Sequence, residues 1–200
     1  DKGPNTGGMG AYSPAPIVSE AIFENVMHTV IRATVDAMES EGVPYTGFLY
    51  AGLMIDKNNK VKVLEYNCRF GDPETQPIMM RLKSNLASLC IAATQGKLDE
   101  VSVEWDERAC LGVVMAADGY PEKYVKGEKI RLPSDSLNAK IFHAGTHLKN
   151  NNIYSNGGRV LCATALGKDI QQAQIKAYEF LEKVDWKGAY YRTDIGFKAI

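Results

Sequence analysis

The feature that most constrains the fold is a pair of apolar segments, 47–55 and 61–68, separated by the five polar residues 56–60. Each segment has the length of a strand and is rich in aliphatic and aromatic side chains, and the polar residues between them form a turn. The two segments therefore predict an antiparallel hairpin. Because side chains alternate between faces along a strand, this hairpin must have two distinct faces.

Two helices are predicted on either side of the hairpin. The segment from Ser19 to Ser40 has apolar residues at spacings of three and four, with Ser19 as N-cap and Gly42 at the C-terminal stop. The second predicted helix runs from Pro77 to Thr94 and ends before Gly96. Pro77 is compatible with the first turn of a helix, where its absent N–H is not needed.

A domain boundary is expected near residue 107, because residues 97–108 are polar and mixed and the pattern changes after them. The predicted domains are therefore 1–107 and 108–200. Beyond the boundary the sequence predicts short strands and a last amphipathic helix, at 111–117, 140–143, 159–165 and 169–184. Neither half shows a regular alternation of strand and helix, so the fold class is α+β.

Composition excludes several functions. Lys and Arg total 23 against 24 Asp and Glu, for a net charge of -1. A protein that holds nucleic acid by neutralising phosphates usually has a basic excess, so no nucleic-acid partner is expected. No apolar run approaches the roughly 20 residues of a membrane span, so no membrane partner is expected. The four cysteines are widely spaced, which is typical of reduced thiols in a cytoplasmic protein.

The segment from Glu65 to Glu74 carries the strongest functional signal. Glu65, Asn67 and, if the strand persists, Arg69 are expected on one face, which places three oxygen atoms close together. Carboxylate and amide oxygens suit a hard cation such as Mg²⁺, and the planar fork of Arg69 suits a carboxylate or phosphate. Asp72, on the following turn, either contacts an amine or caps the next helix. The alternative is a solvated polar face of a two-stranded sheet.

A glycine-rich segment near the start of the chain is the second candidate. Its glycines permit unusual dihedral angles and close backbone approach, and successive N–H groups in such a loop can bind an anion. The candidate binding residues are Asn5, Thr6, Gly7, Gly8, Gly10 and Ser13. The segment is not a Walker loop, because no Gly-Lys-Ser/Thr ends it. An ordinary turn-rich connection is the alternative.

Arg159 is the third candidate. It follows Gly157-Gly158, a turn signal, and begins a predicted strand. It either reaches a phosphate or is an exposed surface residue.

These segments together resemble one enzyme family. Residues 3–14 and 65–76 are similar to phosphoribosylamine–glycine ligases, which are members of the ATP-grasp superfamily. The similarity continues through 47–54, 142–146 and 156–161 and spans essentially the whole chain in order. The resemblance implies the C-terminal portion of an ATP-grasp domain, an antiparallel sheet with helices, followed by a small mixed α/β domain.

The activity that the resemblance implies is a step of de novo purine synthesis. ATP activates the carboxylate of glycine as glycyl phosphate, and the amine of 5-phosphoribosylamine then attacks. Glu65 and Asn67 carry over from the family motif as ligands of Mg²⁺ or Mn²⁺, and Arg69 as the residue that steadies the acyl phosphate. By inference, Asp72 would hold the glycine ammonium group and the glycine-rich loop would bind a phosphate.

Family members are much longer than this chain, so we expect it to be the C-terminal part of a larger enzyme. The N-terminal half would then be the partner that supplies the adenine-binding elements. The isolated chain is expected to hold magnesium–ATP poorly and to turn over negligibly. Part of the sheet that contains the hairpin would also be absent, leaving an unpaired edge.

Two other functions stay open on the sequence. One is an ATP-grasp ligase with a different amine acceptor, since the superfamily shares the metal-binding carboxylate and amide. The other is a non-catalytic domain that binds a partner or ligand. Glu65, Asn67 and Arg69 together disfavour the second, because a non-enzyme has no evident need for them.

Overall fold

The computed structural model describes residues 3–134 and 136–200. Within these ranges the strands are β1 Gly10–Ser13, β2 Tyr50–Ile55, β3 Val61–Asn67, β4 Ala109–Ala117, β5 Lys129–Ile130, β6 Ala139–His143, β7 Thr146–Lys149, β8 Asn152–Ser155, β9 Arg159–Gly167 and β10 Ala189–Tyr190. The α-helices are α1 Glu20–Val26, α2 Ala33–Ser40, α3 Thr75–Arg81, α4 Leu86–Thr94 and α5 Ile170–Leu181. The presence of antiparallel strands and helices without a regular alternation confirms the α+β class.

The chain folds as two compact units, each built from separate stretches of sequence. One, which we call the core unit, contains residues 3–14, 72–81 and 105–200. The other, which we call the hairpin unit, contains residues 15–71 and 82–104. The chain thus enters and leaves each unit more than once.

An antiparallel sheet forms the centre of the core unit. Its strand order is β1-β4-β9-β6, and β10 also pairs with β4. All nine residues of β4 are buried, because helices cover both faces of the sheet. Leu111, Val113 and Met115 pack in the cluster that includes α5. The opposite face packs against α3, and a Cβ on Gly112 would be in ordinary contact with Pro77 Cγ at 3.4 Å. A second, three-stranded sheet has the order β5-β8-β7.

The hairpin unit contains the expected antiparallel pair β2–β3, in which Tyr50 lies opposite Asn67 and Ile55 opposite Val61. Among the described residues this sheet has two strands only. Residues 20–40 are helical throughout, with a π-helical stretch at 27–32 between α1 and α2. Ser19 caps α1 as predicted, and its hydroxyl accepts a bond from Ile22 N.

One helix prediction was wrong. The segment 77–94 forms two helices, α3 and α4, with a break between them. Asn85 adopts an extended conformation there, and its side chain accepts a bond from Ser88 N and caps α4. Lys83 N–H donates to Glu104 O, so the break is held by a backbone contact that the local sequence pattern does not contain.

Strand predictions in the second half were confirmed for β4, β6 and β9, and the last helix was confirmed as α5. Sequence periodicity missed β1, β5, β7, β8 and β10. Each of these is two to four residues long, too short for an alternating pattern to be visible. Among the described residues, no helix is long and apolar enough to cross a membrane.

Candidate functional site

Glu65 and Asn67 lie at the end of β3 in the hairpin unit, on one face of the strand as the alternation predicts. Asn67 Nδ2 donates to Glu65 Oε1 at 3.2 Å. Glu65 is exposed and pairs across the hairpin with Gly52. A Cβ on Gly52 would lie 3.1 Å from Glu65 Cγ, so the glycine leaves the carboxylate room.

The donor atoms of this pair suit a hard divalent cation. Because Asn67 donates through its amide nitrogen, its Oδ1 atom and the second carboxylate oxygen of Glu65 are the acceptors available to a ligand. Oxygen ligands of this kind are the ones that Mg²⁺ prefers, with water completing the coordination shell. No group of three or more His, Cys, Asp or Glu able to hold a metal occurs in the described part of the chain. Glu65 and Asn67 therefore fit a metal site at which the protein supplies only some of the ligands.

Arg69 follows β3 by two residues and is exposed. Its Nη1 donates to Phe70 O at 2.7 Å. The Phe70 ring stacks on Phe48 with ring centroids 3.9 Å apart. The aromatic pair thus anchors the backbone beside Arg69, and the exposed guanidinium keeps further donors for an anion.

In the core unit, Arg159 connects two segments that are far from it in the sequence, at Gly8 and at Asp72. Its Nη2 donates to Asp72 Oδ2 at 2.7 Å, and its Nη1 donates to Asp72 O at 3.1 Å and to Gly8 O at 2.9 Å. The side chain of Arg159 is 21% exposed and that of Asp72 is 56% exposed. Arg159 is therefore engaged by protein acceptors, whereas the Asp72 carboxylate still faces solvent.

The glycine-rich loop packs directly on this ion pair. A Cβ on Gly7 would lie 2.8 Å from Arg159 Cζ, and a Cβ on Gly8 would lie 2.4 Å from Pro73 Cδ. Both distances are shorter than real Cβ contacts, so a side chain at Gly8 would displace the Pro73 ring and one at Gly7 would displace the Arg159 guanidinium from its hydrogen bonds. Gly7 N also donates to the hydroxyl of Tyr120 at 3.2 Å. The loop is thus held from two sides.

The other loop candidates are distributed along the same segment. Asn5 is exposed and Thr6 is half-buried. Gly10 begins β1, and a Cβ there would lie 2.4 Å from Ile195 Cγ2. Ser13 lies at the far end of β1, where its hydroxyl accepts a bond from Arg81 Nη1 at 2.7 Å. Arg159 therefore contacts the loop at Gly7 and Gly8, whereas Ser13 is bound to Arg81 at the other end of β1.

Two residues that contact the loop, and one buried acceptor on α3, were not singled out from the sequence. Tyr120 and Ile195 hold Gly7 and Gly10, and no local pattern predicts either contact, because both cross more than a hundred residues. Gln76 Oε1 is buried and has no hydrogen-bond partner among the described residues. A buried acceptor without a partner is uncommon and often marks a position that a ligand completes.

The buried thiols of the core unit are unsuited to nucleophilic chemistry. Burial raises the pKa of Cys110 to about 12, and burial also raises that of Cys162. The thiolate is the nucleophilic form, and both groups are thiols near neutral pH. All four cysteines are free.

Comparison with known proteins extends this picture. Residues 1–75 match the family model of the phosphoribosylglycinamide synthetase ATP-grasp (A) domain, and residues 110–198 match that of its C domain. The biotin carboxylase domain of 2-oxoglutarate carboxylase from Hydrogenobacter thermophilus shares the fold at 13% identity, with a TM-score of 0.69 over 96% of this chain and 43% of that one. The fold and the matched domains define the chain as part of an ATP-grasp protein.

Proteins with higher sequence identity to this chain identify the family. The phosphoribosylamine–glycine ligases of Vibrio vulnificus CMCP6 and Salmonella typhimurium LT2 are 59% and 57% identical over the whole chain, which covers 47% of each. The crystal structure of the ligase from Thermotoga maritima has a TM-score of 0.82 at 38% identity, over 97% of this chain and 48% of that one. The chain belongs to the phosphoribosylamine–glycine ligase family. It spans about half the length of the curated relatives it matches.

Proposed function

We propose that this chain is part of an enzyme that joins glycine to 5-phosphoribosylamine at the expense of ATP. The observation that carries the proposal is the oxygen pair of exposed Glu65 and half-buried Asn67, followed by exposed Arg69, in a chain of this family. The names of the relatives support the substrates. The four free cysteines support a reducing compartment, the cytoplasm.

The proposed reaction has two steps. A carboxylate oxygen of glycine attacks the γ-phosphorus of ATP, which gives glycyl phosphate and ADP. The amine of 5-phosphoribosylamine then attacks the carbonyl carbon, the C–O bond to phosphate breaks, and the nitrogen loses a proton. The products are glycinamide ribonucleotide and phosphate.

In the hairpin unit, Glu65 and Asn67 would hold Mg²⁺ or Mn²⁺ through their oxygen atoms. The metal, when bound, supplies positive charge that offsets the charge of the ATP phosphates. The exposed guanidinium of Arg69 would bind the acyl phosphate and stabilise its tetrahedral adduct, because preorganised charge lowers the barrier of such steps.

In the core unit, the solvent-facing carboxylate of Asp72 would bind the ammonium group of glycine. The loop of Asn5, Thr6, Gly7, Gly8 and Gly10 would bind a phosphate group. Arg159 would act by holding Gly8 and Asp72 in place, since its donors are already engaged. Ser13 would contribute by fixing the position of β1 through its hydrogen bond with Arg81.

The test measures phosphate release from ATP by a full-length enzyme that contains this sequence, with glycine or 5-phosphoribosylamine left out in turn. Release that requires both substrates supports the proposal. Release with a different acid or amine would keep the ATP-grasp assignment and overturn the substrates. The isolated 200-residue chain is expected to release negligible phosphate, because the proposal assigns most of ATP binding to the other half of the enzyme.

The metal assignment has its own test in the same assay. Glu65→Gln removes the charge of the carboxylate while keeping its shape, and we expect a strong loss of turnover that added Mg²⁺ partly restores. Glu100→Gln makes the same change at an exposed position in the same unit and should leave turnover unaltered. Near-normal activity of Glu65→Gln would contradict the assignment.

A further inference from the structure

The second sheet of the core unit carries an open cavity of about 690 Å³. Its lining includes Lys126, His147, Lys149, Asn150, Tyr154 and Asn156. The volume lies in the range of small-molecule sites. None of these residues belongs to the glycine-rich loop or to the Asp72–Arg159 pair, so the cavity is a separate feature of the core unit.

The pairing of β5, β8 and β7 explains why these side chains share a face. His147 lies opposite Tyr154, which lies opposite Lys129 on its other side. Directly paired residues in an antiparallel sheet project to the same face, so the three form a row across the sheet. Lys149 is two residues along β7 from His147 and therefore projects from that face too.

The opposite face of the same sheet is apolar. Ile130 is buried, and Ile153 packs against the main core. The sheet is thereby fixed on its apolar side, and its polar side is presented to solvent. Asn150 and Asn151 both have positive φ angles and form the tight turn between β7 and β8, which sets the position of Lys149.

The charged side chains of Lys126 and Lys149, which line the cavity, are both positive. Among the residues that the structure describes, no Asp or Glu lines the cavity, although the chain as a whole has a net charge of -1. Among residues 3–134 and 136–200, no carboxylate forms an ion pair with Lys126, His147 or Lys149. Lys126 Nζ lies 5.9 Å from the centre of the Tyr124 ring, a cation–π contact that leaves its N–H groups able to donate. Two unpaired ammonium groups around a concave polar surface attract a multiply charged anion.

We propose that this cavity binds the phosphate group of a small phosphorylated ligand. Lys126 and Lys149 supply the charge, and the hydroxyl of Tyr154 and the side-chain amides of Asn150 and Asn156 supply neutral hydrogen bonds. A phosphate dianion offers oxygen acceptors for all of these donors. The phosphate comes either from a sugar phosphate or from free inorganic phosphate, and the cavity has room for the sugar.

The test is isothermal titration of the full 200-residue chain with ribose 5-phosphate, with inorganic phosphate and with ribose, at low ionic strength. We expect saturable binding of ribose 5-phosphate and none of ribose. Lys149→Gln and Lys126→Gln should each weaken binding by about fivefold or more, because each removes one charge close to the dianion. Lys168→Gln, an exposed lysine outside the cavity, should change binding by less than about twofold.

Each outcome bears on the proposal. Equal affinity for inorganic phosphate would support it and identify free phosphate as the ligand, whereas tighter binding of ribose 5-phosphate would identify a sugar phosphate. Absence of saturable binding, or equal loss in Lys168→Gln and Lys149→Gln, would overturn it. Unchanged fluorescence of buried Trp186 in each variant shows that the core unit is folded. The titration uses neither ATP nor glycine, so its failure and that of the proposed ligase activity are distinguishable.

Discussion

The two units place their strands in opposite environments. In the core unit, β4 is buried along its whole length and β9 along all but its first residue. In the hairpin unit, Leu64 is 64% exposed and Tyr66 is 45% exposed, although both lie within β3. Apolar strands therefore stabilise the core unit by packing, whereas the apolar side chains of β3 contribute little packing within the described residues.

The largest expected loss of stability comes from replacing a buried leucine of the core unit, and an exposed leucine of β3 is its control. Leu111→Ala should lower the free energy of unfolding by about 3 kcal/mol, because Leu111 is fully buried between β4 and α5 and its removal leaves a cavity. Leu64→Ala should change it by less than about 0.5 kcal/mol. Urea unfolding followed by Trp186 fluorescence and by far-ultraviolet circular dichroism measures both. Equal losses would show that β3 is as well packed as β4, and the comparison would fail.

A glycine in each unit gives the next effect. Gly10→Ala should destabilise by about 1–3 kcal/mol, because the new Cβ would lie 2.4 Å from Ile195 Cγ2 and 2.8 Å from Gly112 O and would force β1 away from β4. The tightest contact of Gly52→Ala is with the flexible side chain of Glu65, at 3.1 Å, and its other contacts, at 3.6 and 3.7 Å, are ordinary, so it should cost less than about 1 kcal/mol. The same urea titrations apply. A smaller loss for Gly10→Ala than for Gly52→Ala would contradict the close packing of β1.

The sequence predicted the hairpin and the common face of Glu65 and Asn67, because that information is local. Alternation along 61–67 places Glu65 and Asn67 together, and their hydrogen bond bears this out. The N-cap at Ser19 and the helix α5 were predicted for the same reason. Each of these features depends on residues a few positions apart.

The contacts that assemble the loop could not be predicted in this way. Arg159 and Gly8 are 151 positions apart, and nothing in either segment specifies the other. The local sequence favoured an exposed surface residue at Arg159, and it placed β1 in a loop. Both were decided by pairing with the central sheet, a tertiary effect that overrides short local patterns.

Alkaline pH should destabilise the core unit through a buried thiol. The pKa of Cys110 is raised by burial from its ordinary value of 9.0 to about 12. Above pH 9 the unfolded chain ionises this thiol while the folded chain does not, so stability is full below pH 9 and is lost as pH rises toward 12. The loss from this one group is about 1.4 kcal/mol at pH 10.

The measurement is the slope of unfolding free energy against pH between 9 and 11, in the parent chain and in Cys110→Ala. Loss of the thiol should flatten the slope even if it lowers stability at every pH. Cys68→Ala removes an exposed thiol from the hairpin unit and should leave the slope as it is in the parent. An unchanged slope in Cys110→Ala would mean that the thiol is reached by water in the folded state.

The smallest effect concerns the ion pair that anchors the glycine-rich loop. A double-mutant cycle with Arg159→Met and Asp72→Asn should give a coupling energy of about 0.5–1 kcal/mol, since both side chains are partly exposed and solvent screens their attraction. Arg131 and Asp185 form a matched pair in the same unit at 2.8 Å, with side chains 72% and 57% exposed. Their coupling should be near zero. Because the Arg159 side chain is the more buried of the two arginines, high salt should reduce its coupling only in part. Equal coupling in the two pairs would mean that Arg159 is an ordinary surface residue, and the loop would then owe its position to Tyr120 and to the glycine contacts alone.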